Sequence, residues 1–149
     1  KIASGIYAND HAKMTLNQKD VKEGGSAQFT SSLGFTIYPM ENLRLGLDWK
    51  YFSNYYADYA LNSRDLNLNG VKNFETPWKV PAYNLLDFSA GYTFNMGGYK
   101  TTISGNVENL LDQEYISQAY DGAGHDWQTA YRVFYGFGRK MSLKLKVNF

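Results

Sequence analysis

Apolar and polar residues alternate along five stretches of the chain, a period of two that is typical of β-strands with chemically different faces. In the last stretch every second residue is apolar and those between are polar, the apolar set being Met141, Leu143, Leu145, Val147 and Phe149. The same alternation runs through residues 27–38, 42–53, 83–94 and 99–110. A shorter stretch at 1–7 completes six predicted strands. The last of them is predicted to run as one long strand over 128–149, with Arg139 as its one polar interruption, and an ordinary hairpin folded at residues 136–138 is the alternative.

The connections between these strands alternate in length. Tight turns at 38–41 and 95–98 join strands in pairs, whereas long polar segments cover 8–26, 53–82 and 111–127. Alternation alone is compatible with a soluble β-sandwich or with a membrane barrel, since both have one apolar and one polar face. Outer-membrane barrels have short turns at one end and long loops at the other. The connections therefore favour an all-β, antiparallel transmembrane β-barrel wall.

Composition excludes several other classes. The 149 residues carry a net charge of +1, which gives no electrostatic case for nucleic acid. The absence of cysteine excludes a disulfide scaffold, thiolate metal sites and cysteine catalysis. No apolar run reaches the length of about 18 residues expected of a transmembrane helix. Aromatic residues make up 17% of the chain and suit the interfaces of a membrane.

The smallest closed outer-membrane barrels have about eight strands, which is more than the six strands predicted here. Open sheet edges in hydrocarbon would leave backbone groups without hydrogen bonds. We therefore expect residues 1–149 to be the C-terminal portion of a larger barrel, whose other strands come from preceding sequence. A small complete barrel with further strands hidden in 1–26 is the alternative.

Three segments resemble motifs of one family. Residues 136–149, in which Arg139 precedes an alternating strand that ends in Phe149, resemble the closing strand of TonB-dependent receptors of Gram-negative outer membranes. Residues 106–115 (NVENLLDQEY) and 81–92 (PAYNLLDFSAGY) are similar to two further motifs of that family, in the family's order. Together the motifs cover roughly residues 77–149.

The resemblance implies a barrel of about 22 strands in the bacterial outer membrane. It implies active, TonB- and proton-motive-force-dependent import of a nutrient of the siderophore, cobalamin, glycan or peptide class. The implied partners are outer-membrane lipid, a plug domain and the remaining strands, and the TonB complex, with a surface lipoprotein as a further candidate. Barrel-assembly machinery would recognise the C-terminal signal formed by Met141, Leu143, Leu145, Val147 and Phe149. The alternatives are a passive porin or small non-TonB barrel, and a soluble carbohydrate-binding sandwich.

The long loops carry the candidate ligand-binding residues, which are Tyr55, Tyr56, Asp58, Tyr59, His125, Asp126 and Trp127. Aromatic rings beside carboxylates suit sugars, chelates or peptides, although packing within the loops would use the same residues. His125 and Asp126 lack a suitably spaced third donor for zinc. No recognised catalytic motif contains Ser4, His11 or His125, so we expect no enzyme activity, metal or cofactor. Asn109 and Asp112 are predicted to fix a turn through side-chain hydrogen bonds.

Overall fold

The computed structural model describes residues 15–17, 21–59, 71–73 and 75–149. The strand predicted at 1–7 lies outside these ranges. The regular structure described consists of ten strands: β1 (Thr15–Asn17), β2 (Ala27–Met40), β3 (Leu43–Tyr56), β4 (Val71–Asn73), β5 (Lys79–Val80), β6 (Tyr83–Met96), β7 (Tyr99–Glu108), β8 (Ile116–Tyr120), β9 (Arg132–Tyr135) and β10 (Lys140–Asn148). Among the described residues, no helix has the length and hydropathy needed to cross a membrane.

The main sheet has the strand order β10–β7–β6–β3–β2, with every neighbouring pair antiparallel, and the short β5 pairs with the end of β3. Four predicted strands are confirmed as β2, β3, β6 and β7, with ends that differ from the prediction by three residues or fewer. The turn between β6 and β7 consists of Gly97 and Gly98, whose φ angles of 60° and 87° favour glycine. We call this end of the sheet the turn end and the opposite end the loop end.

The register places most of the apolar residues of the five long strands on one face, with Phe52, Tyr83 and Leu85 as exceptions at the loop end of the other face. One cross-strand row, for example, consists of Phe35, Leu47, Phe88, Val107 and Met141. The row beside it consists of Thr36, Gly46, Ser89, Asn106 and Ser142. Residues opposite each other in an antiparallel pair share a face, so the sheet has a continuous apolar face and a polar face. The predicted division of the strands into two chemical faces is confirmed.

Aromatic rings border the apolar face at both ends. At the turn end Tyr92 stacks on Phe94 with ring centroids 5.9 Å apart, and at the loop end Trp49 stacks on Tyr51 at 6.0 Å. Asn84 of β6 is the partner of Tyr51, so the rows of Tyr51 and Phe94 are ten residues apart along β6. Ten residues span about 33 Å of strand, or about 25 Å of height at a tilt of about 40°. This is the height of the apolar band of an outer-membrane barrel.

The prediction of one continuous strand over 128–149 is wrong. β9 pairs with β8, whereas β10 pairs with β7, and residues 136–139 between them belong to no strand. The change of partner occurs at Gly136, whose N–H donates to the carbonyl of Tyr115 at 2.8 Å. A methyl group at Gly136 would overlap the ring of Tyr115. β8 itself lies inside the segment 111–127 that was predicted to be a polar connection.

Candidate functional site

The two long loops are joined to each other at the loop end of the sheet. The N–H of Asp58 donates to the carbonyl of Ala119 at 2.8 Å, and the N–H of Asp121 donates to the carbonyl of Asp58 at 2.7 Å. The N–H of Ala57 donates to the carbonyl of Trp78 at 2.8 Å. Residues 57–59, 75–80 and 116–135 therefore form one hydrogen-bonded unit, which we call the loop cap.

A small apolar core holds the loop cap together. It consists of Tyr55, Ala57, Val80 and Ala119. The side chain of Tyr55 is 4% exposed, and its hydroxyl donates to the carbonyl of Ser117 at 3.2 Å. The ring of Tyr55, which the sequence suggested as a ligand contact, is thus packed inside the cap rather than displayed on its surface. Tyr56, Asp58 and Tyr59 are half-buried beside it.

Asp121 links the second loop to the first. Its side chain is 2% exposed. Its Oδ1 accepts the N–H of Trp78 at 3.0 Å, and its Oδ2 lies 2.6 Å from Nδ1 of His125. The Nε2 of His125 lies 3.5 Å from Glu75. Sequence reasoning missed Asp121, for which the available signal was an Asp-Gly pair typical of a turn.

Asp126 and Trp127 belong to an ordered turn on the surface of the cap. The carboxylate of Asp126 accepts the hydroxyl of Thr129 at 2.7 Å and its N–H at 2.8 Å. These hydrogen bonds hold the pKa of Asp126 below its usual value. Trp127 is 61% exposed on the same turn. The structure therefore brings both predicted groups of ligand residues to one cap, while their contact with a ligand stays a prediction.

The described residues contain no group of three or more His, Asp or Glu side chains that could hold a metal ion. The polar face, in contrast, carries close ion pairs. Lys50 lies 2.6 Å from Asp87, and Lys140 lies 2.6 Å from Glu108. In an outer-membrane barrel this face lines the interior, so the interior wall near the loop end is charged and hydrogen-bonded.

The turn after β7 fixes the start of β10. Asn109, which is buried, accepts the N–H of Gln113 at 2.9 Å and donates from its amide to the carbonyls of Gln113 at 2.9 Å and of Phe137 at 3.4 Å. Asp112 accepts the N–H of Arg139 at 2.7 Å. Asn109 and Asp112 have φ angles of 51° and 54°, a left-handed conformation that Asn and Asp tolerate better than most residues. The turn-fixing role predicted for both residues is confirmed.

The segment 81–92 contacts the same turn from β6. Oδ1 of Asp87 accepts the N–H of Asn109 at 2.8 Å, while its Oδ2 holds Lys50. The ring of Tyr83 stacks on that of Tyr115 with centroids 4.5 Å apart. The three segments singled out by their sequence motifs therefore meet in one place, which we call the motif junction.

The residues proposed as the C-terminal signal occupy one face of an edge strand of the described sheet. Met141, Leu143, Leu145 and Val147 lie in β10, which pairs with β7 on one side. Phe149 follows directly and packs edge-on against Tyr99, with ring centroids 5.4 Å apart. The arrangement exposes a continuous apolar strip, and its recognition by assembly machinery stays a prediction.

An antiparallel sheet with an apolar face bordered by aromatic rings, a charged opposite face, tight turns at one end and long loops at the other is the wall of an outer-membrane β-barrel. A family model described as "TonB dependent receptor-like, beta-barrel" matches residues 5–110. The chain belongs to this family and is part of an outer-membrane TonB-dependent transporter. No curated protein and no solved structure matches the chain.

The family match confirms the resemblance and the location in the Gram-negative outer membrane, and it implies interaction with a plug and with TonB in general. It includes β2 and β3, upstream of the recognised motifs. Residues 111–149, which contain the closing-strand motif, lie outside the matched range.

Proposed function

We propose that the protein imports a nutrient of the siderophore, cobalamin, glycan or peptide class, and that TonB couples this import to the proton-motive force. The observation that supports the proposal is the loop cap, because it joins two long loops into one ordered surface at the extracellular end of the wall. The charged polar face below the cap suits a transported polar solute or a plug. We assign the chain a transport role and no catalytic one.

We propose that Trp127 is the main ring contact for the ligand within the described cap. Its ring is exposed, while the adjacent Asp126 is held by Thr129, so the turn presents the ring in a fixed place. An exposed indole can stack on a sugar, a flat chelate or an apolar peptide side chain. Tyr56, Asp58 and Tyr59 would contribute at the edge of the same surface.

Uptake by intact cells tests this function. Cells that express the complete protein would be given one labelled compound of each of the four classes, with and without a protonophore. We expect one class to accumulate above its external concentration, and the protonophore to abolish this accumulation. Accumulation that survives the protonophore, or simple equilibration of every compound, would indicate a passive pore and contradict the proposal.

The role of Trp127 is tested with a control of matched exposure. Leu111 is 62% exposed against 61% for Trp127, and it lies in the turn after β7 rather than in the cap. We expect Trp127→Ala to raise the half-saturation concentration of uptake about two- to tenfold, since a ring contact contributes about 0.5–1.5 kcal/mol. Leu111→Ala should leave it unchanged. Equal effects would show that the ring is not a ligand contact.

We propose that barrel-assembly machinery recognises the strip from Met141 to Phe149, and that a surface lipoprotein is a candidate cover for the loop cap. Phe149→Ser should lower the amount of protein in the outer membrane without changing its synthesis, as measured on fractionated membranes. Purification under mild detergent, followed by identification of stoichiometric partners, tests the lipoprotein. Recovery of the transporter alone would contradict that partner.

A further inference from the structure

Arg139 is a charged residue at the loop-end edge of the apolar face. Within the described long strands β2, β3, β6, β7 and β10, no residue on that face carries a charge. Arg139 directly precedes β10 and continues the parity of Met141, Leu143 and Leu145. Its side chain is exposed, and it forms no ion pair with any residue in the described part of the chain.

The register gives the height of Arg139 relative to the membrane. Met141 shares a row with Phe88 and Leu47. Extended by one residue past its last pair, Lys140 with Glu108, the register puts Arg139 one row nearer the loop end than Met141, at the level of Trp49 in β3. Trp49 belongs to the aromatic border at the extracellular end of the apolar face. Arg139 is therefore at the level where the hydrocarbon ends and the lipid headgroups begin.

The backbone of Arg139 is held in place. Its N–H donates to Asp112 at 2.7 Å, and the next residue, Lys140, is paired with Glu108 at 2.6 Å on the opposite face. Lys140 is thus committed to the interior side, while the parity of Arg139 directs its side chain to the membrane side. The backbone at Arg139 is positioned, and the planar guanidinium fork loses less freedom for each hydrogen bond that it forms to an anion than a lysine would.

We propose that Arg139 binds a phosphate group of an outer-leaflet glycolipid. At the headgroup level a guanidinium meets lipid phosphates, and a phosphate accepts two parallel hydrogen bonds from the guanidinium fork. The outer leaflet of a Gram-negative outer membrane is composed of phosphorylated glycolipids. Met141 and Leu143, 70% and 77% exposed, continue below Arg139 and offer a surface to the acyl chains of the same molecule. This favours a lipid over free phosphate as the source of the anion.

The proposal rests on the outer-membrane location and is independent of the transported substrate. The complete protein would be purified from outer membranes in mild detergent, and bound phosphorylated glycolipid would be counted by native mass spectrometry. We expect Arg139→Gln to lower retention at least about tenfold, because a charged hydrogen bond is lost. Arg139→Lys should retain an intermediate amount. Lys144→Gln removes a positive charge from the polar face of the same strand and should match the wild type.

A second arm uses the wild-type protein alone, so that the test stands even where Arg139→Gln fails to insert. Delipidated protein would be titrated with the glycolipid, with its dephosphorylated form and with inorganic phosphate, and the shift in melting temperature recorded. We expect a shift with the intact glycolipid and a much smaller one with the other two. Equal shifts with intact and dephosphorylated lipid would overturn the proposal, as would equal retention by Arg139→Gln. Protection by inorganic phosphate at the same concentration would overturn the lipid as the source.

Discussion

Replacement of Leu143 by arginine places a charge near the middle of the apolar face. Leu143 shares a row with Ala90 of β6, which is four residues from Phe94 at the turn end and six from Asn84, the partner of Tyr51, at the loop end. Its side chain is 77% exposed on the face that meets lipid. An arginine at the bilayer midplane costs a barrel about 2–4 kcal/mol. The folding equilibrium should therefore shift about 30- to 1000-fold toward the unfolded state.

The assay is urea titration of the complete protein in lipid vesicles, followed by electrophoretic mobility of the folded barrel and by tryptophan fluorescence. Lys144→Gln is the matched control, since it changes the next residue of β10 on the polar face. We expect it to alter the free energy of unfolding by no more than about 0.5 kcal/mol. If both variants lowered stability equally, or if Lys144→Gln were the more damaging, the assignment of the two faces would be refuted.

Three further substitutions test the contacts at the loop end. Asn109→Ala removes the hydrogen bonds that fix the start of β10 and should cost about 2–4 kcal/mol in the same urea titration; an unchanged midpoint would contradict this role of Asn109 in the motif junction. Asp121→Ala removes the acceptor shared by Trp78 and His125, and should raise the rate of protease cleavage in the cap several-fold while the sheet keeps its melting temperature; equal cleavage rates would show that the cap does not depend on Asp121. Gly136→Val would overlap the ring of Tyr115 and should lower stability by about 1–3 kcal/mol, and wild-type stability would show that the turn can move away.

The faces of the sheet were predictable because a strand repeats every two residues. The parity of Leu43 to Tyr51, or of Met141 to Val147, decides which side chains share a surface without any knowledge of the partner strand. The loop-length pattern then distinguished the two ends. Registers such as Phe35 with Leu47 could not be read from parity, because a slip of two residues leaves every side chain on the same face.

The end of the long C-terminal segment shows where parity fails. Tyr135 and Phe137 continue the alternation of β10, yet Tyr135 pairs with β8 and the strand is interrupted at Gly136. The alternation of apolar and polar residues shows which side chains share a face, and it carries no information about which strand is the hydrogen-bonding partner. Tyr55 was misplaced for a related reason. β3 continues to Tyr56, so Tyr55 lies in the core between the two loops. The contact between these loops could not be predicted from any local sequence pattern.

The motif junction connects the loop cap to the wall through specific bonds. Asp87 holds both Lys50 of the interior wall and the backbone of Asn109. Asn109 in turn holds Phe137, in the stretch between β9 of the cap and β10 of the wall. A movement of the cap that displaced this stretch would have to break these partly buried hydrogen bonds or shift β10 itself. We therefore infer that the base of the second long loop is fixed to the wall.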